Sequence, residues 1–407
     1  MPAWPPAGKR AGLSFTLTAR NMPFLLKLAS LISGWRALTA ALALLCALAP
    51  ARVLAQVFDS ELQRFRLTIV TGGLEHPWGL AFLPDGRMLV SERPGRLRLI
   101  DAKGNLDPQA VKGLPPIAAI GQGGLLDVAV HPAFRQNGWI YLSYVAAGTG
   151  GYGTEVLRAR LRNRALHDVQ VVFRMRPKSA TGYHFGSRLV FDREGYLYIT
   201  LGDRGEQERA QRLDDHAGSV IRLHDDGRVP ADNPFVRQAG ALPEKFTLGN
   251  RNIQGAAVHP ATGELWAHEH GPQGGDEINV IRAGVNYGWP VITYGRNYGS
   301  GTRIGEGSEK AGMAQPVLQW TPSIAPSGMA FYTGNRFPAW QGDLFVGALR
   351  DQMLLRIRLD GERVVRQEAL LKSVIGRIRD VRNGPDGLLY LLTDSPSGVL
   401  ARLQPVP

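Results

Sequence analysis

The 407-residue sequence predicts an all-β fold, a six-bladed β-propeller of four-stranded antiparallel blades, and three observations carry that prediction. One apolar hairpin pattern recurs six times. Its copies start 48 to 72 residues apart, which leaves room for two further strands per copy. In addition, 49 Gly and 27 Pro interrupt nearly every window long enough for a helix.

Each copy is an apolar strand, a turn bearing Pro, Asp, Asn or Gly, and a second apolar strand, the signature of a β-hairpin. In order they are Leu80–Val90 (LAFLPDGRMLV), Val128–Leu142 (VAVHPAFRQNGWIYL), Leu189–Ile199 (LVFDREGYLYI), Ala257–Ala267 (AVHPATGELWA), Met329–Val346 (MAFYTGNRFPAWQGDLFV) and Val381–Leu391 (VRNGPDGLLYL). Arg96–Ile100, Ser219–Leu223 and Leu354–Leu359 read as such further strands. Phe65–Thr71 precedes the first copy and is placed to complete the last blade and close the ring. A β-sandwich is the alternative all-β architecture, but it does not predict six copies of one hairpin.

The first 55 residues have a different character. Lys27 and Arg36 lead into the apolar run Ala37–Ala49, and Val53-Leu54-Ala55 gives a small-residue cleavage pattern before Gln56. This is the layout of a secretory signal with a core short for a membrane span, so residues 1–55 are expected to be a signal peptide and residues 56–407 a single exported propeller, periplasmic or secreted. A retained anchor is the other reading, and Met22 is a second candidate start. The single cysteine, Cys46, lies inside the apolar run, so the exported chain would have neither disulfides nor thiolate ligands. Residues 1–55 carry six Lys/Arg and no Asp/Glu, so the formal charge of +12 falls to +6 over residues 56–407. The remaining basic residues are interspersed with acids, which argues against a nucleic-acid partner.

A hairpin's first strand begins, and its second strand ends, at the same end of a blade. Gln122, His184, Arg251, Asn252, Ser323 and Arg377 all precede their hairpins by four to six residues. Asp203-Arg204-Gly205, His268 to Pro272 and Arg350-Asp351 follow theirs closely. All of them therefore fall on one face of the disc, near the channel if the first strand is innermost.

The chemistry of that set is informative. Arg251, Arg350, Arg377 and Arg379 suit an anion with several carboxylates, because a guanidinium fork matches a carboxylate in paired hydrogen bonds. Salt bridges to Asp203, Asp351 and Asp380 are the competing use. His184 is a candidate general base. His268 and His270 lack a third ligand at metal spacing, so zinc is poorly supported. In Gly271-Pro272-Gln273-Gly274-Gly275-Asp276-Glu277 the backbone bends, and carbonyls plus a carboxylate suit a hard cation, above all Ca2+. Asn286-Tyr287-Gly288-Trp289-Pro290 offers a further carbonyl. A plain Gly-rich turn is the alternative there.

At these residues the sequence resembles the soluble pyrroloquinoline-quinone (PQQ)-dependent sugar dehydrogenases of the glucose/sorbosone dehydrogenase family, nearest the compact aldose dehydrogenase branch. The likeness runs from about Leu67 to Leu403 and rests on GQGGLLDVAVHPAF, HFGSRLVF, LGNRNIQG, EHGPQGGDEINVI, NYGWP and RIRDV, in family order. It implies a six-bladed propeller with PQQ at its mouth, contacted by Gln122, Arg251, Asn252, Ser323, Arg350, Arg377 and Arg379. It further implies Ca2+ on the Gly271 and Pro272 carbonyls, and a second, structural calcium at Glu277 and Tyr287. His184 matches the catalytic base, which would take the proton of an aldose's anomeric hydroxyl as hydride passes to the quinone and a lactone forms, with Arg251 and Ca2+ stabilising charge on the quinone oxygen.

Three positions depart from the family's pattern. Arg350 stands where Lys is usual, Tyr183 where the glucose dehydrogenase branch has Asp, and Thr321 where that branch has an aromatic residue. They put the sugar preference in question and suggest an open pocket. The electron acceptor is not identified by the sequence. A calcium-dependent propeller lactonase and a non-catalytic sugar- or protein-binding propeller are the competing functions.

Overall fold

The computed structural model describes residues 56–406. The expected signal peptide, with Cys46, lies outside the described residues. The chain enters through β1 (Val57–Asp59) and β2 (Arg64–Leu74), then lays down six antiparallel sheets in chain order. Blade one is β3 (Pro77–Phe82), β4 (Met88–Glu92) and β5 (Arg96–Ile100). Blade two is β6 (Leu125–Val130), β7 (Trp139–Gly148), β8 (Gly151–Arg162) and β9 (Ala165–Arg174). Blade three is β10 (Leu189–Phe191), β11 (Leu197–Thr200) and β12 (Val220–Leu223). Blade four is β13 (Ile253–Val258), β14 (Leu265–Glu269), β15 (Asp276–Ile281) and β16 (Leu318–Trp320). Blade five is β17 (Pro326–Phe331), β18 (Leu344–Ala348), β19 (Met353–Asp360) and β20 (Arg363–Leu370). Blade six is β21 (Ile378–Asn383), β22 (Leu389–Thr393) and β23 (Gly398–Pro405), completed by β2 and edged by β1.

Each of the six sequence hairpins forms the first two strands of a blade. The first strands touch one another around the whole ring, from β3 through to β21 and back, so they line the channel. Closure comes from β2 on β23, in register from Phe65 opposite Pro405 to Leu74 opposite Gly398. The N-terminal strand thus ties the last blade shut, as the alternating apolar residues before the first hairpin predict.

The fourth strand is regular in blades two, four and five and irregular in one and three. In blade one, Asp107 and Val111 donate backbone N–H groups to Leu99 and Leu97, but Pro108 lies between them and a ladder cannot form. In blade three, residues 244–247 lie along β12 through Arg222 N–H to Glu244 O and Phe246 N–H to Val220 O.

Blade faces bury apolar side chains, and a polar device repeats near the axis. The fourth or fifth residue of the second hairpin strand is Ser91, Ser143 or Thr200 in blades one to three. Each hydroxyl donates to a backbone carbonyl of the next blade: Leu126, Ser187 (2.7 Å) and Ile253 (3.4 Å) respectively. In blade five that position is Gly347, and Ser327 supplies the hydroxyl to Ile378 O from the adjoining strand instead. Ser143 Oγ also accepts from Asp127 N–H at 2.8 Å. Ser143→Ala therefore strands a buried donor and a buried carbonyl, and thermal or urea unfolding should show a loss of about 1–3 kcal/mol.

Below the mouth, four charges from three blades close the channel. Arg188 Nη1 lies 3.1 Å from Asp127 and 3.0 Å from Asp380, and Arg382 reaches each of the same carboxylates at 2.8 Å. Leu189 and Leu80 donate backbone N–H groups to these aspartates, so blade one is tied in as well. The set is electrically balanced and hydrogen-bonded, the condition under which buried charge is tolerated. Gly79 lets the strands approach this closely: a Cβ there would lie 2.6 Å from Asp127 Oδ1.

Candidate active site

The loops entering the first strands and leaving the second strands converge on two adjoining clefts at one end of the channel. The inner one, about 260 Å3, is lined by Trp78, Gln122, Asn252, Arg377, Arg379 and Asp394, among others. The outer one, about 720 Å3, includes His184, Arg251, Gly271, Pro272, Ser323 and Arg350. Gln122, His270 and Ala325 line both. Every expected quinone contact and the expected base therefore border one or other of these two adjoining clefts. Glu277 and Tyr287 line neither cleft.

His184 is held from both sides. Its backbone N–H donates to Gln122 Oε1 at 2.9 Å, and its Nδ1 lies 2.7 Å from Asp203 Oδ1. Asp203 accepts further bonds from Trp289 Nε1–H (2.8 Å) and Gly205 N–H (2.8 Å). Burial opposes the charge of Asp203, but His184 and the nearby Arg251 hold its carboxyl below the ordinary carboxylate range. An ionised Asp203 puts the imidazole proton on Nδ1 and leaves Nε2 as the free acceptor, as in other carboxylate–histidine pairs. The NYGWP motif thus orients this pair through the Trp289 indole. His270 is pushed down to about 3 by burial and is neutral at ordinary pH, with Nε2 2.6 Å from Pro326 O.

The arginines are pre-aimed rather than free. Arg251 is buried, and its Nη1 donates to His270 O at 2.9 Å and Gly271 O at 2.7 Å. Arg350 donates to Ser323 O, and its ion pair with Asp351 is long at 3.5 Å. Arg377 and Arg379 share Asp394, at 3.1 and 3.2 Å. Arg379 also donates to Gln254 Oε1 at 3.1 Å. Of the three aspartates expected to compete for these arginines, only Asp351 does so; Asp380 closes the channel and Asp203 serves His184. Asp394 takes that place, and a third contact from His76 at 3.0 Å helps hold it well below the usual range despite burial. Its only sequence signal was its position just after the sixth hairpin. Asn252 Oδ1 accepts from Gly186 N–H (3.3 Å), and Ser323 Oγ donates to Asp276 Oδ2 (2.7 Å).

These residues fit a planar polycarboxylate. Six arginines and one carboxylate line the adjoining clefts, and Nε of Arg251 and of Arg379 is buried without a hydrogen-bond partner. A buried unpaired guanidinium N–H is costly unless an acceptor arrives. They also fit a hard cation at Gly271 and Pro272. A Cβ on Gly271 would sit 2.2 Å from both Gly274 O and Gly275 O, so the backbone oxygens crowd where only Gly is tolerated. Pro272 O accepts one bond, from Tyr298 Oη at 2.9 Å, and retains its second lone pair.

The expected second cation position has a different donor set. Glu269 and Glu277 are direct partners across β14 and β15; burial raises both carboxyls, and the neighbouring Glu269 raises Glu277 further. The Tyr287 hydroxyl is already engaged, donating to Val280 O (2.6 Å) and accepting from Arg282 N–H (2.8 Å), so only its carbonyl is available to a metal. Among the described residues no three His, Cys, Asp or Glu side chains are grouped to hold a metal, so carbonyl oxygens must supply much of any coordination.

Comparison with known proteins places this geometry in context. The Glucose / Sorbosone dehydrogenase family pattern matches residues 74–402. The chain is 48% identical over 338 residues to the aldose sugar dehydrogenase YliI of Escherichia coli, covering 82% of this chain and 91% of that one. It is 27% identical over 428 residues to the quinoprotein glucose dehydrogenase B of Acinetobacter calcoaceticus, covering 84% and 88%. The PQQ-bound structure of the aldose sugar dehydrogenase of Streptomyces coelicolor superposes with a TM-score of 0.69 at 28% identity, covering 83% of this chain and 98% of that one.

Proposed function

The chain belongs to the glucose/sorbosone dehydrogenase family, and from that membership we propose that it is an exported PQQ-dependent oxidoreductase that converts aldose sugars to lactones at the anomeric hydroxyl. The observation that carries the reading is the Trp289–Asp203–His184 relay opening onto a cleft lined by arginines. Export rests on the signal expected at residues 1–55, and among the described residues no helix is long and apolar enough to cross a membrane.

Gln122, Asn252 and Ser323 would fix the cofactor's edge, and Arg350, Arg377 and Arg379 would take its carboxylates in charge-assisted bonds. Arg251 would place positive charge where negative charge develops, with the Gly271 and Pro272 carbonyls beside it to hold a cation. When bound, the quinone supplies the two-electron sink, and Ca2+ on those carbonyls polarises it. His184 Nε2 takes the proton of the sugar hydroxyl, Asp203 stabilises the imidazolium that results, and Trp289 keeps Asp203 ionised and aimed. The Glu277 carboxylate and Tyr287 carbonyl would hold a second, structural Ca2+.

The test is to add PQQ and Ca2+ to purified apo-protein and follow dye reduction with a panel of aldoses. Reduction that requires both quinone and sugar supports the reading. Lactone hydrolysis without quinone favours the hydrolase, and sugar binding with no turnover favours a binding propeller. The calcium assignment has its own readout. Ca2+ offsets the mutual repulsion and burial cost of Glu269 and Glu277, so it should raise the melting temperature at pH 8, a chelator should reverse this, and Glu277→Gln should blunt it.

A further inference from the structure

We propose that Arg204 is a positioning residue for His184, gripping the backbone around the base while its neighbour Asp203 grips the ring. The inference rests on the assignment of His184 as the base. Arg204 is 0% exposed, yet its guanidinium donates to the backbone carbonyls of Thr181 (2.5 Å) and Tyr183 rather than to a carboxylate. The Thr181 hydroxyl donates back to Arg204 O at 2.5 Å. The same guanidinium lies 3.5 Å above the Phe185 ring centroid. Residues 181, 183 and 185 therefore all bear on Arg204, and His184, between them, is left to face the cleft.

His184 needs such a hold. Its φ is +51°, a left-handed conformation that a residue with a Cβ adopts at a cost of about 1–3 kcal/mol unless its surroundings impose it. The Gln122 bond to its N–H fixes one side of that peptide. Arg204 fixes the carbonyl of the residue before it. An arginine buried without a carboxylate is expensive, and an apolar side chain would fill the same volume at lower cost if packing were its whole purpose. The planar fork can bridge two carbonyls two residues apart, whereas an ammonium is a point donor. Asp203 and Arg204 are consecutive, so one short loop after β11 sets both the ring and the backbone of the base.

Histidine-labelled apo-protein separates this from a purely structural role. The His184 ring is titrated by NMR in the wild-type chain, Arg204→Met and Arg204→Lys, and each is then loaded with PQQ and Ca2+ and assayed with an aldose. The expected result is a displaced His184 titration in Arg204→Met and a kcat lowered about 10- to 100-fold, with sugar KM and quinone affinity within about twofold. Arg204→Lys should recover only part of this, and added guanidinium should rescue Arg204→Ala. An unchanged His184 titration with unchanged kcat overturns the proposal, even if the melting temperature falls. If Arg204→Met does not fold, Phe185→Leu removes the ring platform and is judged by the same two readouts. If wild-type protein titrates normally at His184 but never turns over, the dehydrogenase reading fails, and the titration still reports whether Arg204 sets the ring.

Discussion

Asp203→Asn is expected to silence turnover while leaving quinone affinity intact. The carboxylate of Asp203 requires a proton on His184 Nδ1, 2.7 Å away, and so leaves Nε2 unprotonated toward the cleft. An amide with its NH2 toward Nδ1 reverses the tautomer, puts the proton on Nε2 and removes the acceptor proposed for the sugar hydroxyl. The loss in kcat should be on the order of 10²–10⁴-fold, similar to that of His184→Ala, because both remove one proton-transfer function. The double variant should be little worse than either single one. Spectroscopic titration with PQQ should show unchanged binding, since Asp203 lies behind His184 and lines neither cleft. Full activity in His184→Ala would remove the base assignment outright.

The fold was legible in the sequence because its signal is local. Each hairpin carries its own turn residues and alternating apolar positions, so all six were recoverable without knowing their neighbours, and the closure by Phe65–Thr71 followed from an unpartnered strand. The convergence of the entry and exit loops was legible for the same reason: strand direction fixes which end of a blade a residue occupies. The irregular fourth strands were not, because residues 106–111 and 244–247 lack alternation and are held by isolated bonds.

Side-chain partners were the least legible layer. Which carboxylate meets which partner depends on distances across the ring, and Asp203 and Asp394 meet groups 15 or more residues away. Asp380 stands one residue from Arg379 yet points into the channel plug, while Asp394, 15 residues on, faces Arg379. Strand alternation separates neighbours and turn geometry reunites distant residues. Trp289 is a second case: its motif reads as a carbonyl-bearing turn, but the indole reaches Asp203 86 residues away. Only the assembled ring shows it.

Asp394→Asn should weaken the apo-protein and tighten the quinone. Asp394 is the shared counter-charge of Arg377 and Arg379, and both guanidiniums line the inner cleft with it. Losing it leaves the largely buried Arg379 without a carboxylate and should cost on the order of 2 kcal/mol, less than for a fully buried pair because Arg377 is half-exposed. The sign of the pH dependence follows from the carboxyl's depressed position. Its contribution is fully present above the unfolded value near 4 and is lost as pH falls toward the lower folded one, so the gap in melting temperature between wild type and variant should close below about pH 4. Toward PQQ the same carboxylate is a competitor: it repels an incoming anion and occupies the forks that would receive it. Removing that charge should tighten PQQ about tenfold, or ~1.4 kcal/mol. A weaker affinity would mean that Asp394 acts chiefly by holding the two forks in place, so that preorganisation outweighs competition at this end of the cleft.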